Sequence, residues 1–349
     1  MHLMHKATVP LAIVACAGVL AACGSSAQSG SGGSKPSVTV GYFSGGVGAP
    51  ETIIGSNSKL QDTISAKLSF KPITAGLQAL SEMRSGAFGV VSEVGNPPVV
   101  SSVAGGTQLR VIWVQSFDGA GLIVHSGVSS PSQLNGDTIG DLEGSSEDFE
   151  LRGYLKENGL TGKVKVLGFP SDAAAGAAWQ SGHLKAAYVT EDVEDELLGK
   201  GGHEMVNASQ IAKSGYPSLN VLVAGTSLIQ KNPAAVQSYV CAEMKATNLL
   251  TTGSKASRDK AIAAGAKLQG VPVNEAITAT EKWPNIPVSQ EKSWLVPAAG
   301  QTDNPITKAY ELTARFLKSQ GVLASPPSDA TIAGLTDAKF ALNALNGKC

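Results

Sequence analysis

The sequence predicts an α/β protein of two lobes, in which the second lobe is inserted between strands of the first. Short β-type runs alternate with helical runs from residue 37 onward, and the alternation begins again near Gly121. Gly is abundant, at 40 of 349 residues, and aromatic residues make up only 5%. This composition suits an α/β protein better than an all-β sandwich.

The elements of the first lobe follow one another in chain order. Its β-type runs lie at residues 38–42, 68–72, 88–91 and 109–115. Between them, Leu77, Leu80 and Met83 have helical spacing, and Gly86 is a natural stop. Asn96, followed by two prolines, opens another helix. This repetition predicts a mainly parallel sheet with helices on both faces.

The second lobe repeats this pattern. Its β-type runs lie at residues 122–125, 137–140, 164–167 and 186–189, with helical runs at 145–158 and 172–181. Ser145, with Asp148 three residues later, comes close to a helix-capping box. A strand at 219–224 returns to the first lobe, and the chain after Asn232 reads as almost entirely helical.

The predicted domains follow from these runs. The first lobe comprises residues 38–120 and 220–349, and the second comprises residues 121–219. Because the chain crosses between the lobes twice, we expect a cleft between them where the carboxyl ends of the strands point.

Charge and motifs exclude several function classes. The chain has 27 Lys and Arg against 28 Asp and Glu, so it has no positive surplus to neutralise the phosphates of a nucleic acid. Its five His and four Cys are dispersed, which leaves little for a metal centre. We find no GxSxG, HExxH, CxxC or P-loop, and no GxGxxG after the first strand. We therefore expect neither catalysis nor a cofactor.

Residues 1–22 read as an export signal. Lys6 precedes an apolar stretch at residues 9–22 that is too short for a permanent membrane span. The stretch closes with Leu20-Ala-Ala-Cys23, which resembles the bacterial lipobox, in which the Cys is lipidated and becomes the mature N-terminus. Residues 23–37 then read as the lipidated Cys23 and a Gly/Ser-rich tether with a reach of roughly 20 Å. The alternative is an ordinary signal peptide with an incidental Cys.

Two cysteines remain beyond the predicted lipid site, Cys241 and Cys349. Outside the cytoplasm an isolated pair is often bridged, so a disulfide joining the C-terminus to the helix of Cys241 is predicted. Two free thiols are the alternative.

Several segments together carry a family resemblance. These are Val40-Gly-Tyr42, residues 74–95 (TAGLQALSEMRSGAFGVVSEVG), 134–139 (LNGDTI), 177–182 (AAWQSG) and the tail 309–321 (AYELTARFLKSQG). Their order and spacing, with a lipobox in front, resemble the solute-binding proteins of ABC importers, in the taurine, aliphatic-sulfonate and nitrate group. The resemblance implies a bilobal periplasmic-binding fold, an ABC permease with its ATPase as partners, and a monomer anchored outside the cytoplasm by its lipid.

Loops at the strand ends supply the candidate ligand contacts. Backbone N–H groups of Ser44, Gly45 and Gly46, with the start of the helix at Ser145 and Ser146, suit an anion. A plain glycine turn and a simple capping role for Ser145 are the alternatives. Asn96 is expected either to bond a ligand oxygen or to cap its helix.

Acidic residues gather at the same strand ends, namely Glu93, Asp118, Glu143, Glu147, Glu191 and Asp192. Asp118, Glu147 and Glu191 are the candidates for binding an ammonium group, although a solvated helix face is the alternative for Glu191. None of the five Arg clearly follows a strand end, which favours a monoanionic or zwitterionic ligand over a doubly charged one.

The ligand is where the sequence departs from the resemblance. Residues 186–192 read AAYVTED where relatives frequently have an aromatic or Trp–acid pair, and Ala87-Phe88 replaces a common acid. We expect taurine or a related small sulfonate. The alternatives are a cationic thiamine-precursor pyrimidine, bound elsewhere in the same superfamily, and a non-transport sensor lipoprotein.

Overall fold

Strands and helices alternate around two five-stranded sheets. The computed structural model describes residues 35–43 and 49–349, and Lys35–Cys349 form one compact unit. The strands are β1 (Ser37–Phe43), β2 (Lys67–Ile73), β3 (Val90–Val94), β4 (Leu109–Phe117), β5 (Ala120–His125), β6 (Thr138–Leu142), β7 (Lys165–Phe169), β8 (Ala186–Thr190), β9 (Gly202–Asn207) and β10 (Leu219–Gly225).

The helices lie between and after these strands. They are α1 (Pro50–Ser56), α2 (Ser58–Asp62), α3 (Gly76–Arg84), α4 (Asn96–Ala104), α5 (Ser146–Glu157), α6 (Asp172–Gln180), α7 (Glu191–Gly199), α8 (Ala208–Lys213), α9 (Thr226–Lys231), α10 (Pro233–Thr252), α11 (Lys255–Gln269), α12 (Val273–Lys282), α13 (Glu291–Leu295), α14 (Pro305–Ser319), α15 (Asp329–Ala333) and α16 (Lys339–Leu345). No helix of the described residues is long and apolar enough to cross a bilayer.

The two sheets have the same strand pattern. The first runs β2-β1-β3-β10-β4 and the second β7-β6-β8-β5-β9. In each, the first three strands are parallel, whereas β10 and β5 run antiparallel to both neighbours. In both sheets the antiparallel strand is the first one that the chain forms after it crosses from the other sheet: β5 follows β4, and β10 follows β9. The predicted α/β fold with two parallel-rich sheets is confirmed.

Both faces of the second sheet are covered. Leu122 and Val124 of β5 face the main core, and Ile123 between them packs with Trp179 and Leu184 on the opposite face. Side chains alternate across a strand, so an unbroken apolar run is what a strand buried on both faces requires. Below, the first lobe means the first sheet with α1–α4 and α9–α16, and the second lobe means the second sheet with α5–α8.

A disulfide holds the C-terminal end of the chain. Cys241 in α10 is bonded to Cys349, with their Cα atoms 5.7 Å apart. Hydrogen bonds reinforce the contact, because the Gln237 side chain donates to the Phe340 carbonyl at 3.0 Å and accepts from Asn343 at 3.1 Å. The last helix is therefore fixed to the long helix α10 by covalent and polar contacts.

Candidate functional site

The chain passes between the two lobes at two adjacent segments. Asp118 follows β4, and its backbone N–H donates to the carbonyl of Ser218, just before β10, at 3.3 Å. Asn96 at the start of α4 holds the second segment, since its Nδ2 donates to the Pro217 carbonyl at 2.8 Å and its Oδ1 accepts from the Leu219 N–H at 3.3 Å. The two crossings thus form one hydrogen-bonded unit.

Asn96 holds the crossing with its side chain, and its ligand contact stays a prediction. Its side chain is fully buried and both ends of the amide bond to backbone groups of the crossing, while Gly95 occupies the N-cap position of α4. A buried amide with both ends satisfied is a structural clamp. The alternative that Asn96 caps its helix is therefore wrong.

Ser145 forms the predicted cap of α5. Its Oγ accepts from the Asp148 N–H at 3.3 Å and donates to the Leu142 carbonyl at 2.6 Å. This satisfies one of the N–H groups that every helix start leaves without an intrahelical partner. The side chain of Ser145 is thereby engaged, and Ser146 is the hydroxyl of the pair that faces the other lobe.

The lobes touch at Gly95 and Ser146. A Cβ atom built on Gly95 would lie 1.8 Å from Ser146 Oγ and 3.2 Å from Ser146 Cβ. Ser146 is itself buried, and its hydroxyl lies close enough to the Asp118 carboxyl at the crossing to lower the pKa of that group. One serine of the second lobe therefore contacts both the first lobe and the segment that joins them.

Two of the predicted acids lie together at this contact. Burial, followed by the neighbouring Asp172 carboxylate, raises the pKa of Asp118 to about 7 from an ordinary value of 3.8. Burial, followed by Asp118 and Asp172, raises the pKa of Glu147 well above 4.5. Desolvation and like charge both disfavour the ionised carboxylates, so a positive group between them would be stabilised.

Further acids that were not among the predicted contacts join this group. Glu93 at the end of β3, Glu150 in α5 and Asp172 at the start of α6 all interact electrostatically with Asp118. Thr190, the last residue of β8, donates to Asp172 Oδ2 at 2.8 Å. The signal for Glu150 was its spacing, since a residue three positions after Glu147 lies on the same helix face. Glu93 could have been found in the same way as Asp118, because both are acidic residues at the end of a predicted strand.

Arg152, a cation on the same helix as Glu147 and Glu150, is paired with another acid. Arg152 forms an ion pair with Asp148 one turn earlier on α5, and its side chain is 34% exposed. Asp141 beside this pair has its pKa raised to about 9 by burial and then by Asp148, against a lowering effect of Arg152. A nearby cation lowers the pKa of a carboxyl group. The pKa values of the other interlobe acids are instead raised, mainly by burial and by the neighbouring acids.

Three groups of predicted residues cannot be placed. Ser44, Gly45 and Gly46, expected to supply N–H groups to an anion, lie outside the described residues, as does the predicted lipid site Cys23. Glu191 begins α7, but its side chain is likewise outside the described part of the structure.

Most of the chain matches one protein family. The sequence profile of the NMT1-like family matches residues 31–266, which is more than half of the chain. The chain belongs to the NMT1-like family. This NMT1-like protein is 23% identical over 299 residues to the taurine-binding periplasmic protein of Escherichia coli (strain K12), covering 84% of this chain and 89% of that one.

Solved structures share the fold. The periplasmic aliphatic sulphonate binding protein SsuA from Escherichia coli superposes with a TM-score of 0.69 at 19% identity, covering 86% of this chain and 93% of that one. The desulfurization enzyme DSZB superposes with a TM-score of 0.58 at 18% identity, covering 89% and 100%. Binding proteins and an enzyme thus share this architecture, so the function of the NMT1-like protein has to be argued from its site.

Proposed function

We propose that this protein is the extracytoplasmic solute-binding component of an ABC importer, which binds taurine or a related small sulfonate and delivers it to a permease and its ATPase. The contact at Gly95, Ser146 and Asp118 carries the proposal, because it joins both lobes and the crossing at one point. A ligand bound there touches both lobes, and it favours the closed arrangement through contacts that an open one lacks.

The sulfonate and the ammonium group of such a ligand would bind to different groups of the site. The first turn of α5 offers N–H groups and partial positive charge to a sulfonate, together with the predicted Ser44–Gly46 loop. Asp118 and Glu147, with Glu191 as a third candidate, offer carboxylates to the ammonium group. Opposite charges at the two ends of one small molecule account for a helix start and acids at the same place.

Binding without turnover is part of the proposal. The similarity to the taurine-binding and aliphatic sulphonate binding proteins supports it. Scattering of the purified protein with and without taurine tests the proposal, and mass spectrometry of the recovered ligand accompanies it. We expect a smaller radius of gyration and unchanged taurine. Chemical conversion of the ligand would overturn the proposal.

A cationic thiamine-precursor pyrimidine is the second candidate. The observation that favours it is the number of buried interlobe acids with raised pKa, namely Glu93, Asp118, Glu147 and Glu150. Binding of such a pyrimidine in preference to taurine would change the ligand while leaving the transport role intact. Genes for a permease and an ATPase beside this one would favour transport over a sensor role.

Anchoring belongs to the same proposal. The lipobox at Cys23, the export signal before it and the Gly/Ser tether after it support a lipoprotein held at the outer side of the membrane. Replacing Cys23 with Ser should release the protein from the membrane fraction and abolish incorporation of a labelled fatty acid. Unchanged labelling in the Cys23→Ser variant would refute lipidation at this residue.

A further inference from the structure

We propose that Glu93 and Glu150, one from each lobe, bind a protonated amine of the ligand, and that this amine must carry at least two N–H donors. The proposal rests on the proposed solute-binding function and names the ligand group that the site selects. It assigns ligand contacts to two residues other than Asp118, Glu147 and Glu191.

Glu93 presents one carboxyl oxygen that has no hydrogen-bond partner among the residues that the structure describes. The residue is 7% exposed and lies at the carboxyl end of β3. Its Oε2 accepts from Ser116 Oγ at 2.7 Å, whereas Oε1 is buried and has no hydrogen-bond partner among the described residues. Buried polar atoms are nearly always paired, so an unpaired oxygen at the end of a strand points to a partner from outside the chain.

The backbone of Glu93 is held in an unusual conformation. With φ at +51°, it is the one non-glycine residue of the described chain in the left-handed region. Its N–H donates to Gln115 Oε1 at 2.7 Å, and Gln115 Nε2 in turn donates to Glu51 at 3.0 Å and to Glu243 at 2.8 Å. This buried network fixes the direction in which the Glu93 side chain leaves the strand.

Glu150 has the matching arrangement in the second lobe. It is fully buried on α5, and its Oε2 accepts from Tyr188 OH at 2.9 Å. Its Oε1 is buried and has no partner among the described residues. Each lobe therefore contributes one carboxyl with one oxygen that accepts from a hydroxyl and another that has no partner within the described part of the chain.

The two carboxyls lie on either side of the contact between the lobes. Glu93 is two residues before Gly95, and Glu150 is one helical turn after Ser146 on α5. Gly95 and Ser146 are the residues at which the lobes touch, and both carboxyls also interact electrostatically with Asp118 on the crossing. A primary ammonium, an amidinium or a guanidinium supplies positive charge and several N–H donors at once. A quaternary ammonium supplies the charge alone and leaves both oxygens unpaired, which the site would penalise.

The test is a calorimetric series on the purified protein in which charge is kept and donors are removed. The ligands are taurine, its N-methyl, N,N-dimethyl and N,N,N-trimethyl derivatives, and a pyrimidine carrying an aminomethyl group. We expect affinity to hold through the N-methyl compound, to fall by tenfold or more at the dimethyl compound, and to be lost at the trimethyl compound. Equal affinity for taurine and its trimethyl derivative would overturn the proposal.

Variants tie the selectivity to these residues. Glu93→Gln and Glu150→Gln should each weaken binding of the amine at least tenfold, and Glu157→Gln, an exposed acid on the same helix as Glu150, should not. Both buried variants should melt no lower than the wild type, because a neutral amide replaces a buried carboxyl. Wild-type affinity in both variants would overturn the proposal.

The outcomes separate this inference from the proposed function. If the wild type binds the pyrimidine and not taurine, the taurine assignment fails, and the two variants then decide the inference with the pyrimidine. If the wild type binds an alkane sulfonate as tightly as taurine, the sulfonate-binding role stands and the amine inference fails. If it binds none of these ligands, both are overturned.

Discussion

Gly95 offers the most direct test of lobe contact, because an added methyl group acts between the lobes and not within one. The backbone of Gly95 has φ −74° and ψ 173°, which alanine adopts readily, so the substitution Gly95→Ala does not strain the fold itself. Its Cβ would nevertheless lie 1.8 Å from Ser146 Oγ, far inside van der Waals contact.

The expected loss of ligand affinity in Gly95→Ala depends on how the clash with Ser146 is relieved. Ser146 can turn its hydroxyl away, which forfeits its interaction with the Asp118 carboxyl. Such an interaction is worth roughly 1.5–3 kcal/mol when the carboxyl is charged. The Cβ atoms would remain 3.2 Å apart, so some opening of the lobes is also needed. Since each 1.4 kcal/mol is a factor of ten, we expect about a ten- to hundredfold loss of ligand affinity.

The assay is calorimetric titration with taurine, with the thermal midpoint of the ligand-free protein measured in parallel. Gly105→Ala is the matched control, because it lies at the other end of α4 and its Cβ would meet its nearest atoms at 3.4 Å and beyond. The double variant Gly95→Ala/Ser146→Gly removes the clashing side chain and should restore closure in scattering. Wild-type affinity in Gly95→Ala would refute the assignment of this contact to the closed, ligand-binding arrangement.

Three further predictions concern pH, the disulfide and an aromatic contact. Burial raises the pKa of Glu93 to about 8 and that of Asp118 to about 7 in the folded protein. Because the folded state holds these two protons more tightly than the unfolded state, they add to the free energy of unfolding. This contribution is fully present below pH 4 and is lost as the pH rises through 7 and 8. The ligand-free protein should therefore melt at a higher temperature at pH 5.5 than at pH 8.5, and a rising midpoint over that interval would contradict this. Thiol titration of the denatured, unreduced protein should find neither Cys241 nor Cys349 free, and loss of this bond should cost about 2–4 kcal/mol of unfolding free energy; two titratable thiols would refute the bridge. Phe316→Ala should weaken ligand binding and increase the radius of gyration of the ligand-bound protein in scattering. The reason is that the Phe316 ring packs edge-on against Phe149 of the second lobe, with the ring centres 5.0 Å apart. Unchanged affinity and size would count against a role of this contact in closure.

Much of the fold could be predicted from local patterns. The strand and helix runs before Asn96 and after Asn232 have clear periodicity and glycine stops, and the structure places elements at each. Edge strand β9 was missed because its residues, Gly202–Asn207, alternate between polar and apolar only weakly, and Val206 alone among them is buried. A strand of that kind is specified by its neighbour β5 and not by its own sequence.

The site was predictable only in part, for reasons of distance along the chain. Ser145 could be identified as a cap because its partner Asp148 is three residues away. The role of Asn96 depends on backbone groups more than 120 residues later, which no local pattern reveals. The spacing of Glu150 places it on the same helix face as Glu147, but only the packing of α5 against Tyr188 shows that Glu150 is fully buried.

Calorimetric titration of the purified protein with taurine, an alkane sulfonate, nitrate and a cationic pyrimidine, side by side, tests the central claim most directly. The account predicts saturable binding of one taurine per chain, with weaker binding of the alkane sulfonate, because the buried carboxylates lose their ammonium partner. Absence of binding to all four ligands would contradict the account.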